Sequence, residues 1–213
     1  MDKICVIGAG GHGREVIRII EEINEVQNRY EILGFIDDNQ DLKDQTFNGY
    51  PVLGGIDEIV EKYGNELKYV LGIGEPRIKK QLIDKLENNN LEWPSIIHPS
   101  VRKTKYTEIG KGTIIFPGCV LSVNVKLGDF VCVNTLSSIS HDSIIDNYTN
   151  INPGAFINGN VQVRTGVYLG SGCKIIQDIK IGDWSIIGAG AVIIEDVPEN
   201  VTVVGVPGEV IIQ

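Results

Sequence analysis

Hydrophobic and polar residues alternate in two different rhythms along this chain, and one gives way to the other near residue 95. In the first rhythm short apolar runs lead into helical patterns. "KICVIG" reads as a buried strand, and "GAGGHGREVIRIIEEI" passes through glycines into a helix with one apolar stripe. "YEILGFIDD" is a second strand ending in two acids. "GIDEIVEKYG" is a helix, "KYVLGIG" a third strand and "EPRIKKQLIDKLENNN" another helix. Strand and helix in alternation predict an α/β unit with a parallel sheet over residues 1–95.

The second rhythm has a period of six. From Ile109 to Ile193 every sixth residue is Ile, Leu or Val, fifteen times without a slip, and "IIHPSV" at 96–101 reads as a partial earlier turn. Four residues after each aliphatic stands a small or β-branched one, from Thr113 and Cys119 through Ser143 and Thr149 to Ala191 and Val197. Six fits neither a helix nor a hairpin sheet. It fits a solenoid in which each hexapeptide forms one short side of a coil and points its aliphatic inward. The predicted domains are 1–95 and 96–213.

Composition narrows the chemistry. The chain has 213 residues and a formal charge of −9, which argues against a general nucleic-acid binder but leaves room for an anionic small ligand held by local donors. No apolar run is long enough to span a bilayer, and "MDKICVIGAGGHG" enters a strand with no signal segment, so a cytoplasmic protein is expected. Cys5, Cys119, Cys132 and Cys173 have no metal-ligand spacing and are expected to be buried thiols, with no metal required.

The layout closely resembles the hexapeptide-repeat acyltransferases. Within them it resembles the bacterial sugar acetyltransferases that include the UDP-4-amino-sugar and GDP-perosamine N-acetyltransferases and the sialic acid O-acetyltransferases. The resemblance implies a Rossmann-like α/β domain followed by a left-handed parallel β-helix with three hexapeptides per coil. The six-residue period does not itself give the hand, and general chirality favours the other one. It also implies a homotrimer, with acetyl-CoA held between subunits and a nucleotide-linked amino sugar as acceptor.

Three hexapeptides per coil stack residues eighteen apart. His141 then lies between Val123 and Gly159, and Asp142 between Asn124 and Asn160, all outside the inward positions. Acyl transfer from a thioester needs a base near neutral pH, a task suited to histidine oriented by a carboxylate. The resemblance makes His141 the general base, Asp142 its orienting acid and the Gly159 N–H an oxyanion donor. It places Asn150 where relatives often carry a second histidine facing the thioester. Asparagine there can donate a hydrogen bond but carries no charge. Ser171 and Ala189 match coenzyme A backbone contacts, and Lys174 and Lys180 are candidates for its phosphates. Gly208 and Glu209 replace the alanine and basic residue of the usual closing "GVPA" motif.

"GAGGHG" at 8–13 matches GxGxxG, follows a strand and opens a helix, a pattern that cradles phosphate on backbone N–H groups. Alone it would suggest NAD. The resemblance assigns it instead to a nucleotide sugar, with Gly10, Gly11 and His12 near the phosphates, Asp37 and Asp38 at the nucleoside end, and Gly74 and Arg77 nearby. The alternatives left open are O-acetylation of a sialic acid, a silent sugar-nucleotide scaffold, and an NAD-linked enzyme.

Overall fold

A computed structural model describes residues 1–211. The chain divides into two compact units. One comprises Met1–Gly74 with Ile78–Pro99, and the other Glu75–Arg77 with the chain from Ser100 onward.

In the first unit, β1 (Asp2–Ile7), β2 (Tyr30–Ile36) and β3 (Lys68–Leu71) form a parallel sheet in the order β2-β1-β3. The chain moves from β1 to one neighbour and then to the other, so β1 borders a topological switch point, where open α/β sheets hold ligands. Helix α1 (Gly11–Gln27) buries Val16, Ile17, Ile20 and Ile23, the stripe visible in the sequence. Helices α2 (Ile56–Tyr63) and α3 (Pro76–Leu86) follow the predicted segments. A short hairpin, Thr46–Phe47 against Tyr50–Pro51, lay outside the periodic patterns.

The second unit is a parallel β-helix built from two-residue strands. Fifteen of them, Glu108–Ile109 to Val192–Ile193, stack on three faces with partners eighteen residues apart, making five full coils. A bridge between Arg102 and Val120 adds a partial earlier coil. Of these fifteen, Glu108–Ile109 is the earliest on the first face, Ile114–Ile115 on the second and Val120–Leu121 on the third. The aliphatics of the six-residue repeat fill the interior, which Thr113, Ser137, Ser143, Thr149 and Ser185 share. Those hydroxyls donate to carbonyls at the corners, as Ser143 does to Asn158 O at 2.9 Å and Thr149 to Arg164 O at 3.0 Å. Burying them is therefore not penalised by lost hydrogen bonds.

Each coil turns through a left-handed residue at every corner. From 112 to 190 every sixth residue has positive φ, whether it is glycine, Asn124, Asp142 or a bulky Phe130, Tyr148 or Trp184. This backbone state costs most residues roughly 1–2 kcal/mol, less for Asn and Asp. Parallel pairing on three faces holds the corners there.

Candidate active site and cofactor-binding surfaces

The corner between the third and first faces carries the His-Asp pair. His141 and Asp142 follow the strand Ser138–Ile139, and the left-handed turn at Asp142 (φ 60) places both side chains outside the coil. His141 Nδ1 lies 2.9 Å from Asp142 Oδ2, and the two side chains are 60% and 52% exposed. An ionised carboxylate only accepts, so Nδ1 carries the proton, and in the neutral ring Nε2 presents a lone pair. Asp142 Oδ1 accepts from Asn124 Nδ2 at 2.8 Å. These hydrogen bonds, from Asn124 first and His141 second, hold the Asp142 carboxyl below its ordinary range.

One coil later, Gly159 lies beneath the imidazole. A Cβ built on Gly159 would overlap Cε1 of His141 and come within 2.5 Å of Nε2, so only glycine lets the ring occupy this place. Among the described residues no acceptor pairs with the Gly159 N–H, while its carbonyl accepts from Asp178 N at 3.1 Å. Base and donor thus stand on one corner, a coil apart. Asn160 does not join Asp142 in a ladder: its Nδ2 donates to Asp178 Oδ1 at 2.8 Å.

Ser171 and Ala189 stack eighteen residues apart on the corner between the second and third faces, both exposed. They therefore sit across the third face from His141. Asn150 is on the second face, opposite the His141 corner, and is 3% exposed. Its Nδ2 donates to Asn152 Oδ1 at 3.3 Å, and its Oδ1 has no hydrogen-bond partner among the described residues. The structure does not bring Asn150 to His141 within one chain. Lys174 and Lys180 are exposed on the third and first faces. Gly208 packs against Ile193 and Val203, and an added methyl would meet Ile193 Cδ1 at 2.8 Å.

In the α/β unit the glycine loop divides its work. Gly8 has a φ of 102°, and any Cβ on Gly13 would strike the Gly8 carbonyl, which ties helix to strand. Gly10, Gly11 and Gly74 face open space. Helix α1 starts with neither a side-chain cap nor an acid in its first turn, leaving N–H groups to meet an anion. Beside the loop lies a cavity of about 340 Å³ lined by Ile7, Gly8, Ile36, Asp37, Asp38 and neighbouring apolar side chains.

The two acids differ. Asp37 spends both oxygens on backbone: Oδ2 accepts from Ala9 N at 2.8 Å and Oδ1 from Asn39 N at 3.0 Å. It braces the glycine loop. Asp38 Oδ1 caps α2 through Ile56 N at 2.8 Å, and its other oxygen has no hydrogen-bond partner among the described residues. His12 is a neutral group near pH 7: burial, then the charge of buried Lys79, pushes its pKa down to about 4. Arg77 turns to other partners, its guanidinium 5.0 Å from the Trp184 ring and Nη2 3.4 Å from Asn200 Oδ1. It does not line the cavity. Asp37's bracing role had no sequence signal, because it depends on how two loops close together.

All four cysteines are buried thiols outside any disulfide, and burial pushes those of Cys5 and Cys173 up to about 12, so these two are poor nucleophiles. Among the described residues no group of three or more His, Cys, Asp or Glu could hold a metal, and no helix is long and apolar enough to cross a membrane.

A glycine-loop α/β unit followed by a hexapeptide β-helix with a His-Asp pair on one corner defines the hexapeptide-repeat acyltransferases with an N-terminal nucleotide-sugar-type domain. Family models agree: the PglD N-terminal domain matches residues 3–86, and the bacterial transferase hexapeptide (six repeats) matches residues 160–195. GDP-perosamine N-acetyltransferase of Escherichia coli O157:H7 is 33% identical over 97% of this chain and 95% of its own length. The acetyltransferase domain of PglB from Neisseria gonorrhoeae is 30% identical with a TM-score of 0.91, covering 99% of this chain and 100% of that one. PerB from Caulobacter crescentus, solved with CoA and GDP-perosamine, is 25% identical with a TM-score of 0.88, covering 99% and 98%. The chain belongs to the hexapeptide-repeat sugar N-acetyltransferase family that includes the GDP-perosamine enzyme, and its solenoid is the left-handed parallel β-helix of that family.

Proposed function

We propose that this chain transfers the acetyl group of acetyl-CoA to the amino group of a nucleotide-linked 4-amino sugar, with His141 as general base. The observation that carries the assignment is the imidazole itself: oriented by Asp142 through Nδ1, open at Nε2 and lying over a glycine whose N–H is unpaired. The amine nitrogen attacks the thioester carbonyl, and Nε2 takes the proton it sheds. The Gly159 N–H supports the oxyanion, a fixed donor needing no reorganisation as charge develops. The intermediate then breaks its C–S bond, and the imidazolium returns the proton to the departing thiolate.

The nucleotide sugar is assigned to the cavity beside the glycine loop, with its phosphates on the α1 N-terminus near Gly10 and Gly11 and its nucleoside end toward Asp38. His12 would serve there as a neutral hydrogen-bonding group, and Gly74 would leave room for the ligand. Coenzyme A is assigned to the corner of Ser171 and Ala189. On one chain that corner and His141 lie on opposite edges of the third face, where Val120, Phe156, Ile176 and Ile194 are exposed. An apolar face between two half-sites supports a homotrimer in which one subunit's cofactor corner meets its neighbour's base. In this arrangement Asn150 would reach a thioester only from a different subunit than His141. A cytoplasmic location follows from the substrates, since acetyl-CoA and nucleotide sugars are made there.

Thiol release from acetyl-CoA, measured against UDP- and GDP-4-amino sugars and free sialic acids with His141→Ala in parallel, tests the assignment. Turnover of a nucleotide amino sugar that falls roughly 10²- to 10⁴-fold in the variant is expected. Turnover confined to sialic acids would make this an O-acetyltransferase, and full activity without His141 would remove the base from the mechanism.

A further inference from the structure

The Asp142 carboxylate stands in solvent, yet it must hold one oxygen against an imidazole that is also largely exposed. An exposed aspartate rotates freely and is well hydrated, so the single hydrogen bond to His141 would not by itself fix it. The other oxygen has one protein donor, Asn124 Nδ2 at 2.8 Å. Asn160, the other stacked neighbour, is committed to Asp178.

Both Asn124 and Asp142 are left-handed corner residues, with φ of 58° and 60°, one coil apart. The Asp142 N–H donates to Val123 O at 3.1 Å, locking the two corners in register. Their side chains therefore leave parallel backbones at adjacent levels, and the amide meets the carboxylate with little loss of freedom. The pair Asn160–Asp178 repeats this geometry two coils on, but Gln177 stands where His141 stands, so that copy serves the coil alone.

From this we infer that Asn124 is a positioning residue for acetyl transfer: it clamps Oδ1 of Asp142 so that Oδ2 faces His141 Nδ1 and the neutral ring keeps Nε2 as its basic atom. The inference rests on the reading of His141 as the base. Asn124 also keeps Asp142 ionised, because a donor to a carboxylate favours the charged form. Groups that face the imidazole are Asp142 on its own corner and Gly159 on the next; Asn124 acts on it only through Asp142.

Two substitutions move the base in opposite directions. Asn124→Gly accepts the left-handed corner and releases Asp142. With the carboxylate loosened, His141 loses part of the partner that holds its ring. Asn124→Asp places a second negative charge beside the pair, which favours imidazolium. The acid limb of the kcat/KM profile should shift down in the first variant and up in the second. In Asn124→Gly, kcat should fall about three- to tenfold with both KM values within about twofold, the loss expected from one charge-assisted hydrogen bond.

Asp178→Asn removes a charge from the same column without touching Asp142, and should leave the limb in place. Melting curves on each variant separate misfolding from misorientation, and Asn124→Asp retains a side chain suited to the corner if the glycine variant melts early. Wild-type kcat and an unmoved limb in both Asn124 variants, with His141→Ala inactive, would overturn the inference alone. Activity that survives His141→Ala would overturn the reading beneath it.

Discussion

Gly159 shows how much one missing methyl group decides. Its backbone φ is not left-handed, so alanine is permitted by the main chain; the obstacle is the His141 ring, which occupies the place of the Cβ. Because that ring is exposed, it can swing into solvent rather than strain the coil. Gly159→Ala is therefore expected to lower kcat about 100-fold while moving the melting temperature by less than about 2 °C, as surface changes do. Steady-state kinetics beside a thermal melt checks this. His12 gives the pH counterpart. Its folded pKa of about 4 is depressed from 6.5, so between those values the unfolded chain binds more protons. Stability is then fully present above about pH 6.5 and is lost as pH falls toward 4, by up to about 3 kcal/mol. Melting temperature against pH should flatten over this window in His12→Asn. At this scale the sequence was only partly legible. That His141, Asp142 and Gly159 share one corner could be read because eighteen-residue stacking is arithmetic; the roles proposed for them came from the resemblance. The difference between Asp37 and Asp38 could not, since adjacent acids at a strand end look alike until the loops that bind them are closed.

At the scale of the element, the coil corner governs what the hexapeptide tolerates. The repeat announces its inward aliphatics, because burial selects residue type sharply. It does not announce the left-handed residue, since Phe130, Leu136, Tyr148 and Trp184 occupy corners where glycine or asparagine would be expected. Pairing along the faces overrides local preference there, and Phe130 and Tyr148 recover contact by stacking with centroids 5.7 Å apart. Gly154 isolates the backbone cost: a Cβ there would meet nothing within 4 Å, yet φ is 67°. Gly154→Ala should destabilise by about 1 kcal/mol and Gly154→Asn by less, compared by denaturant unfolding. A cost equal for both would mean that something other than φ is felt at this corner.

At the scale of the whole molecule, the third face lies between the two proposed half-sites. Its outward residues include Val120, Phe156, Ile176 and Ile194, all exposed in the single chain beside Lys174, and Phe156 is 47% accessible. In the proposed homotrimer Phe156 lies at the seam, so Phe156→Lys is expected to shift the protein toward monomer in sedimentation velocity and to remove most acetyl transfer, while the nucleotide-sugar binding proposed for the α/β unit persists. A monomer with full activity would place cofactor and base on one chain. The two-unit layout was legible from the rhythm of the sequence alone. The commitment of Arg77 to Trp184 and Asn200 was not, for it joins positions more than a hundred residues apart with no periodic relation.

The eighteen-residue coil also makes the solenoid a ruler. Strands on one face step by about 4.8 Å per coil, so the thirty residues from His141 to Ser171 correspond to roughly 8 Å along the axis and the forty-eight to Ala189 to roughly 13 Å. In the proposed homotrimer, symmetry about an axis parallel to the coil would leave those offsets unchanged between subunits. Inserting one whole coil between Gly159 and Ser171 would lengthen the gap by one graduation and keep every side chain on its face. Six added residues would instead turn the corner of Ser171 and Ala189 onto another face. Such a scaffold can be retuned to a donor of different reach only in steps of eighteen.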